Sequence, residues 1–249
     1  MTVTAAWPPG YALKHYGAID STNEEAKRLA AAGEPGPVWI VADRQTAGRG
    51  RRGRAWQSPA GNLAATLFLR PDKPACECAQ LSFVAALAVF DVVARLAPAA
   101  EVRVKWPNDV LAEGRKIAGI LLESASSGSE RLDWLAVGIG INLAYFPQDT
   151  DFPATSLAAL GVDAPNSGVV CRHLAAVWNE WYETWRRRGF AQIRDVWLSR
   201  AARLGERIRA KFAAAEMNGV FEGIDETGAL ILRESQGRIR AIAAGEVFF

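Results

Sequence analysis

Short, dense apolar runs alternate with longer segments of helical period along most of the chain, and each predicts an element. Residues 38–42, bounded by Pro37 and Asp43, predict a buried strand, and residues 62–69 predict a second. Residues 77–96 are apolar on nearly every face and rich in Ala and Val, which predicts a long central helix. Residues 102–106 predict a strand that ends at Pro107, which has no N–H to give a ladder. Residues 116–123 and 132–141 predict two further strands, linked by a Ser/Gly-rich turn over 124–130. Ser21, with Glu24 three residues on, predicts a capping box that opens a helix over 24–32, and Gly33 offers a left-handed stop. Residues 167–188 and 190–202 predict two more helices. On the first of these, Trp178, Trp181 and Trp185 are spaced to share one face, as core-packing aromatics do.

The texture changes after Arg203. Segments 207–212, 219–224, 229–233 and 238–243 are short and alternating, separated by turn residues such as Asp225-Glu226-Thr227-Gly228 and Ser235-Gln236-Gly237. They predict a small all-β barrel. The domain boundary is therefore expected near residue 203, with one domain over 1–202 and a smaller one over 203–249.

Composition narrows the function classes. A net charge of +2 over 249 residues marks neither a nucleic-acid binder nor a membrane-surface protein. The three cysteines, Cys76, Cys78 and Cys171, are too few and odd in number for a secreted disulfide framework. With only His15 and His173 beside them they make a poor zinc set. Residues 1–11 lack the basic-then-apolar order of a signal peptide. The apolar runs fall short of the roughly 20 residues of a membrane span. A cytoplasmic protein without a membrane partner is expected.

Charge distribution says more than its sum. Between Arg44 and Pro71 there is no acidic residue, while Arg44, Arg49, Arg51, Arg52, Arg54 and Arg70 all fall inside. Gly48-Arg49-Gly50-Arg51-Arg52-Gly53-Arg54, followed by Trp56, combines backbone that can approach a ligand with guanidinium forks that fit phosphate or carboxylate. Residues 44–56 show no period and predict a loop. A small polyphosphate ligand, a polynucleotide and a merely solvated basic loop all fit that composition. Three further segments stand out. Lys105-Trp106-Pro107-Asn108-Asp109 delivers a carboxylate to a strand end, where it can hold Mg²⁺, accept a proton or face solvent. Lys116-Ile117-Ala118-Gly119 opens an apolar strand with a lysine and two small residues. Gly138-Ile139-Gly140-Ile141-Asn142 interleaves glycine in a strand, which marks close approach or a bulge. No P-loop, dinucleotide fingerprint or nucleophile elbow is present.

In order and spacing, Ser21-Thr22-Asn23, residues 45–56, residues 105–109, residues 116–119 and residues 138–142 resemble biotin protein ligases, the biotin–[acetyl-CoA-carboxylase] ligases of bacteria. The resemblance implies an α+β catalytic domain with a mixed, mostly antiparallel sheet flanked by helices, plus a small C-terminal SH3-like β-barrel. It implies a two-step reaction. Biotin and Mg²⁺·ATP give biotinyl-5′-AMP and pyrophosphate, and a lysine of a biotin carboxyl carrier protein then takes the biotinyl group. By the same resemblance, biotin contacts are Ser21, Thr22, Asn23, Gln45, Arg49, Gly50, Arg51 and Lys116. The nucleotide and adenylate contacts are Arg49, Arg51, Arg54, Trp56, Asn108, Lys116 and Asn142. Lys116, Arg51 and Asp109 are the expected catalytic residues, with Asp109 either a Mg²⁺ ligand or the group that positions the acceptor lysine and takes its proton. The loop is expected to shield the adenylate from water. A homodimer is compatible with the resemblance. Because the first motif begins at Ser21, no N-terminal DNA-binding domain and no DNA partner are expected. A lipoate or octanoate transferase of the same superfamily and a nucleic-acid-binding module are the alternatives.

Overall fold

The structure is a computed structural model that describes residues 5–128, 131–163, 165–212 and 215–249. The larger part is a seven-stranded sheet in the order β1-β2-β3-β7-β6-β5-β4. Its strands are β1 (Ala12–Ile19), β2 (Val38–Gln45), β3 (Leu63–Leu69), β4 (Val102–Lys105), β5 (Asp109–Ala112), β6 (Arg115–Ala125) and β7 (Trp134–Ile141). Only β1 and β2 pair in parallel; the other neighbours are antiparallel. A mixed α+β fold with a mostly antiparallel sheet is thus what the chain adopts.

The described residues form five α-helices, α1 (Thr22–Ala31), α2 (Ala75–Cys78), α3 (Leu81–Leu96), α4 (Ser167–Arg188) and α5 (Phe190–Ser199), of which α1, α3 and α4 pack on the sheet and α5 packs on α3 and α4. Strand alternation sorts the two faces. Trp39, Val41, Leu67 and Val137 join α3, α4 and α5 in the main core, whereas Val38, Ile40, Phe68 and Ala136 meet Ala26 and Leu29 of α1. The predicted tryptophan stripe lies in the main core. Trp178 is fully buried and meets Trp39 edge-on at 6.3 Å, and Trp185 is buried as well. By length and composition Ala75–Leu96 is apolar enough to cross a membrane, which run lengths alone did not suggest. In the fold it breaks between α2 and α3, and ten residues of α3 are buried in the core.

Several local expectations shift. Helix α1 begins at Thr22, two residues early, so Thr22 and Asn23 belong to its first turn. Ser21 occupies the N-cap, but its hydroxyl makes no capping bond. Glu24 instead pairs with Arg49, so the capping box is not formed. Strand β2 runs on to Gln45, into the predicted loop. Of the turn expected over 124–130, residues 129 and 130 lie outside the described residues. Strand β1 carries no apolar alternation because it is an exposed edge, and nothing in its sequence flags it.

The C-terminal sheet holds β8 (Arg207–Phe212), β9 (Ala215–Ile224), β10 (Leu230–Arg233), β11 (Ile239–Ile242) and β12 (Glu246–Phe248), all antiparallel in the order β11-β10-β9-β8-β12. The ladder is open in that order, with no β11–β12 pairing among the described residues. It docks on the larger part through the Trp106 indole N–H, which donates to the Gly228 carbonyl at 3.0 Å.

Candidate active site

Strand period decides what faces the cleft. The register sets Ala64 beside Gly140, Thr66 beside Gly138 and Phe68 beside Ala136. Strand β6 adds Gly119 opposite Gly140, Leu121 opposite Gly138 and Glu123 opposite Ala136. Helix α1 covers the Phe68–Ala136 end of this face. At the glycine end the face stays open as a cleft of about 440 Å³. The glycines serve close approach. A Cβ on Gly140 would lie 2.4 Å from the Trp56 indole, and one on Gly138 would lie 2.3 Å from Asn23 Oδ1.

All the residues expected from sequence line this one cleft: Ser21, Thr22, Asn23 and Gln45 from the α1–β2 side, Arg49, Gly50, Arg51, Arg54 and Trp56 from the loop, and Asn108, Asp109, Lys116 and Asn142 from the opposite strands. The first group is a polar network on apolar ground. Gln45 Oε1 accepts the Thr22 backbone N–H at 2.8 Å and its hydroxyl at 3.0 Å. The Thr66 hydroxyl stands 2.8 Å from Thr22 Oγ1 and 2.7 Å from Asn23 Oδ1, with one proton to share between them. Such a buried network fixes side chains so that a polar ring meets preset donors and acceptors.

The arginine loop is a small hairpin rather than an irregular coil. Arg49 bridges Ala55, the Trp56 N–H donates to Gly48 O at 2.9 Å, and Gly50 N–H donates to Arg54 O at 2.7 Å. At its tip Arg52 and Gly53 both take positive φ, 56° and 73°. Arg49 contacts Glu24 and Glu123, and Arg54 pairs with Glu246 of the C-terminal domain. Arg51 is different. Its Nη1 donates to Asn108 Oδ1 and Gly245 O, both at 3.2 Å, and no carboxylate among the described residues pairs with it. Burial, then the neighbouring Arg52, holds its guanidinium below its usual range.

Across the cleft a single carboxylate serves two ammoniums. Asp109 Oδ1 lies 2.6 Å from Lys116 Nζ, and Oδ2 lies 3.5 Å from Lys105 Nζ. Burial alone would raise the Asp109 carboxyl, but Lys116 and Lys105 more than reverse that and hold it below the usual range. Burial pushes Lys105 down, with Asp109 offsetting part of the effect and Lys116 adding to it. Phe152 lies 4.4 Å from the Lys105 ammonium, and Trp56 lies 5.6 Å from that of Lys116. Two lysines and Arg51 against one aspartate leave a cationic surplus, which suits an anionic ligand.

Asn142 is buried; its amide donates to Thr155 O at 3.0 Å, while Oδ1 has no partner. That acceptor lies in the cleft wall, where a donor can reach it. The loop beyond it hangs on Asn62, whose Oδ1 accepts the N–H groups of Leu143, Ala144 and Tyr145, each at 3.0 Å. Replacing Asn62 with Ala removes all of these acceptor contacts, and the expected loss is about 2–3 kcal/mol of stability. Thermal unfolding measures it, and a melting point unchanged from the native protein refutes the anchoring role.

The donor set does not fit a metal held by the protein itself. Both Asp109 oxygens face ammoniums, and no group of three His, Cys, Asp or Glu side chains among the described residues is placed to hold an ion. A magnesium ion that enters on nucleotide phosphates needs no such cage.

Sequence reading missed several residues that line the cleft or hold its lining from behind. Thr66 is the one hydroxyl in an otherwise apolar strand, a signal within reach. Lys105 opens a segment already singled out, and Glu123, which lies outside the lining but bonds Asn23 and Arg49, closes the strand expected over 116–123. Phe152, Glu246 and Phe248 gave no local signal, because they arrive from distant parts of the chain.

Fold and cleft together define a cationic pocket at the open end of a mixed sheet, floored by glycine and bordered by an arginine hairpin. The model of the biotin/lipoate A/B protein ligase family matches residues 17–142, and that of the biotin protein ligase C-terminal domain matches residues 204–249. The biotin–[acetyl-CoA-carboxylase] ligase of Paracoccus denitrificans is 50% identical over 236 residues, 92% of this chain and 97% of that protein. The bifunctional ligase/repressor BirA of Bacillus subtilis is 35% identical over 96% of this chain and 74% of its own length. The biotin protein ligase from Aquifex aeolicus, solved with biotin and ATP, superposes with a TM-score of 0.81 at 28% identity, covering 95% of this chain and 97% of that one. The chain belongs to the biotin protein ligase family.

Proposed function

We propose that the protein is an ATP-dependent biotin ligase that forms biotinyl-5′-AMP and passes the biotinyl group to a lysine of a biotin carboxyl carrier protein. The observation that carries this is the convergence of the polar α1 network, the arginine hairpin and the Lys105–Asp109–Lys116 cluster on one glycine-floored cleft.

In the first step a biotin carboxylate oxygen attacks the α-phosphorus of ATP. A P–O bond forms, the bond to the β-phosphate oxygen breaks, and pyrophosphate leaves. Two anions must meet, so neighbouring cations lower the barrier most where charge builds. Arg51, which has no carboxylate partner among the described residues, and Lys116 are placed to do this; Arg49 bonds Glu24 and Glu123 through Nη2 and can turn its other N–H groups to phosphate, and Arg54 joins once ligand phosphates compete for it. Magnesium enters with ATP and neutralises its phosphates. In the second step the carrier's lysine, as the neutral amine, attacks the acyl carbon; a C–N bond forms, the C–O bond to the phosphate breaks, AMP leaves and the amine's proton passes to solvent. Thr22, Asn23 and Gln45 hold the biotin ring, with Ser21 beside them, and Trp56 and Asn142 hold the adenylate. A cytoplasmic setting suits the three free thiols.

The test is incubation with biotin, ATP, magnesium and a carrier domain, followed by mass measurement of the carrier. A gain of one biotinyl group is expected. Parallel reactions with lipoate and octanoate should leave the carrier unchanged; modification by those acids alone overturns the assignment to biotin.

A further inference from the structure

One side chain touches both halves of the cleft. Glu123 stands on β6, held in register with Ala136 of β7. Its Oε2 accepts the Asn23 amide N–H at 2.7 Å, and its two oxygens accept Arg49 Nη2 at 2.9 and 3.0 Å. Asn23 is a ring-side residue of the acid pocket, and Arg49 belongs to the phosphate-side hairpin. Both meet one carboxylate and share its Oε2.

The Asn23 bond has a directional consequence. With Nδ2 committed to Glu123, Oδ1 faces Thr66 and the Gly138 backbone at the cleft floor. The amide therefore presents an acceptor, and a ligand N–H, such as that of a cyclic urea, is what it takes. The Arg49 bonds have an energetic consequence. The Glu123 side chain is one-third exposed, so the free protein must order a carboxylate that water competes for. Whichever ligand arrives first fixes that carboxylate, and the second finds it already placed.

We propose that Glu123 is a positioning residue that couples recognition of the acid to recognition of the nucleotide, so that each substrate tightens the other. Glu24 is the built-in control: it also pairs with Arg49, yet it has no bond to Asn23. This proposal rests on the biotin ligase reading of the same cleft.

The experiment is calorimetric titration of the whole protein with biotin, and with a non-hydrolysable ATP analogue, each alone and each in the presence of the other. In the native protein the first ligand is expected to tighten the second by about tenfold, equally in both orders. In Glu123→Gln, biotin alone should bind within about threefold of native while the coupling falls below about twofold. Glu24→Gln should keep the native coupling, and circular dichroism establishes that both variants are folded. Native coupling in Glu123→Gln, equal loss in Glu24→Gln, or a native protein that binds both ligands independently each overturns the proposal. A native protein that does not bind biotin at all sinks the functional reading instead.

Discussion

Lys116→Ala is expected to slow biotin-dependent pyrophosphate exchange by about 10²- to 10³-fold, the typical loss when one preorganised donor to a developing charge is removed. Lys116 is one of two ammoniums on Asp109, and its removal leaves Asp109 paired with Lys105. Asp109 Oδ2 keeps Lys105 while Oδ1 loses its nearer partner, so a loss of about 1–3 kcal/mol is expected, and rates are read per folded enzyme. The lost rate then reports on chemistry rather than folding. Lys116 is also the more exposed of the two lysines, at 26% against 6% for Lys105. It can therefore leave Asp109 for an incoming carboxyl or phosphate. Exchange at near-native rates in the variant refutes its role in adenylation.

That outcome depends on a feature the sequence shows only in part. Segments 105–109 and 116–119 are conspicuous in one dimension, and the family they resemble carries them to one site. Neither composition nor spacing reveals that Asp109 lies between both lysines. That follows from the β5–β6 register, where Asp109 faces Gly119, and from the glycine that leaves the Lys116 side chain room beside it. The β3 and β7 strands were legible because they are long apolar runs in the middle of a sheet. Strand β1 was not, since it lies at an edge with both faces partly exposed and no alternation to read. The arginine hairpin was legible as an anion-seeking loop but not as a hairpin. Its ladder is formed by backbone bonds between Gly48 and Trp56 that leave no trace in side-chain pattern. Least legible was the C-terminal contribution. Glu246 meets Arg54 across 192 residues of chain, and only the docking of β12 on the cleft brings them together. The turn residues that revealed a small β domain carry no information about which of its edges faces the active site.

Asp109→Asn should differ from Lys116→Ala, with a larger loss of stability beside the loss of activity. The substitution removes the one carboxylate among the described residues that Lys105 and Lys116 share, and leaves the buried Lys105 ammonium without its ion-pair partner. Breaking a buried ion pair from one side costs about 3–5 kcal/mol, on the order of 10 °C in melting temperature for a chain of this size. The pH dependence identifies the cause. In the native protein Asp109 sits below its usual range, so its contribution is present above the unfolded value and is lost as pH falls below about 4. The variant lacks that acid-labile part. Lys105 is already pushed down in the native protein, and without Asp109 it is pushed further. Between its folded and unfolded values the unfolded chain binds more protons, so the variant should gain stability as pH rises from neutral towards about 10. Melting curves across that range check both limbs, and a variant with the native profile removes the electrostatic account. The same variant decides what Asp109 does in catalysis. Asp109 pairs with both Lys116 and Lys105, so its removal is expected to disturb the placement of both ammoniums. Asp109→Asn should then impair adenylation as well as transfer, once rates are corrected for the folded fraction. Native adenylation with failure confined to single-turnover transfer from preformed adenylate would instead return to Asp109 the role of taking the acceptor lysine's proton.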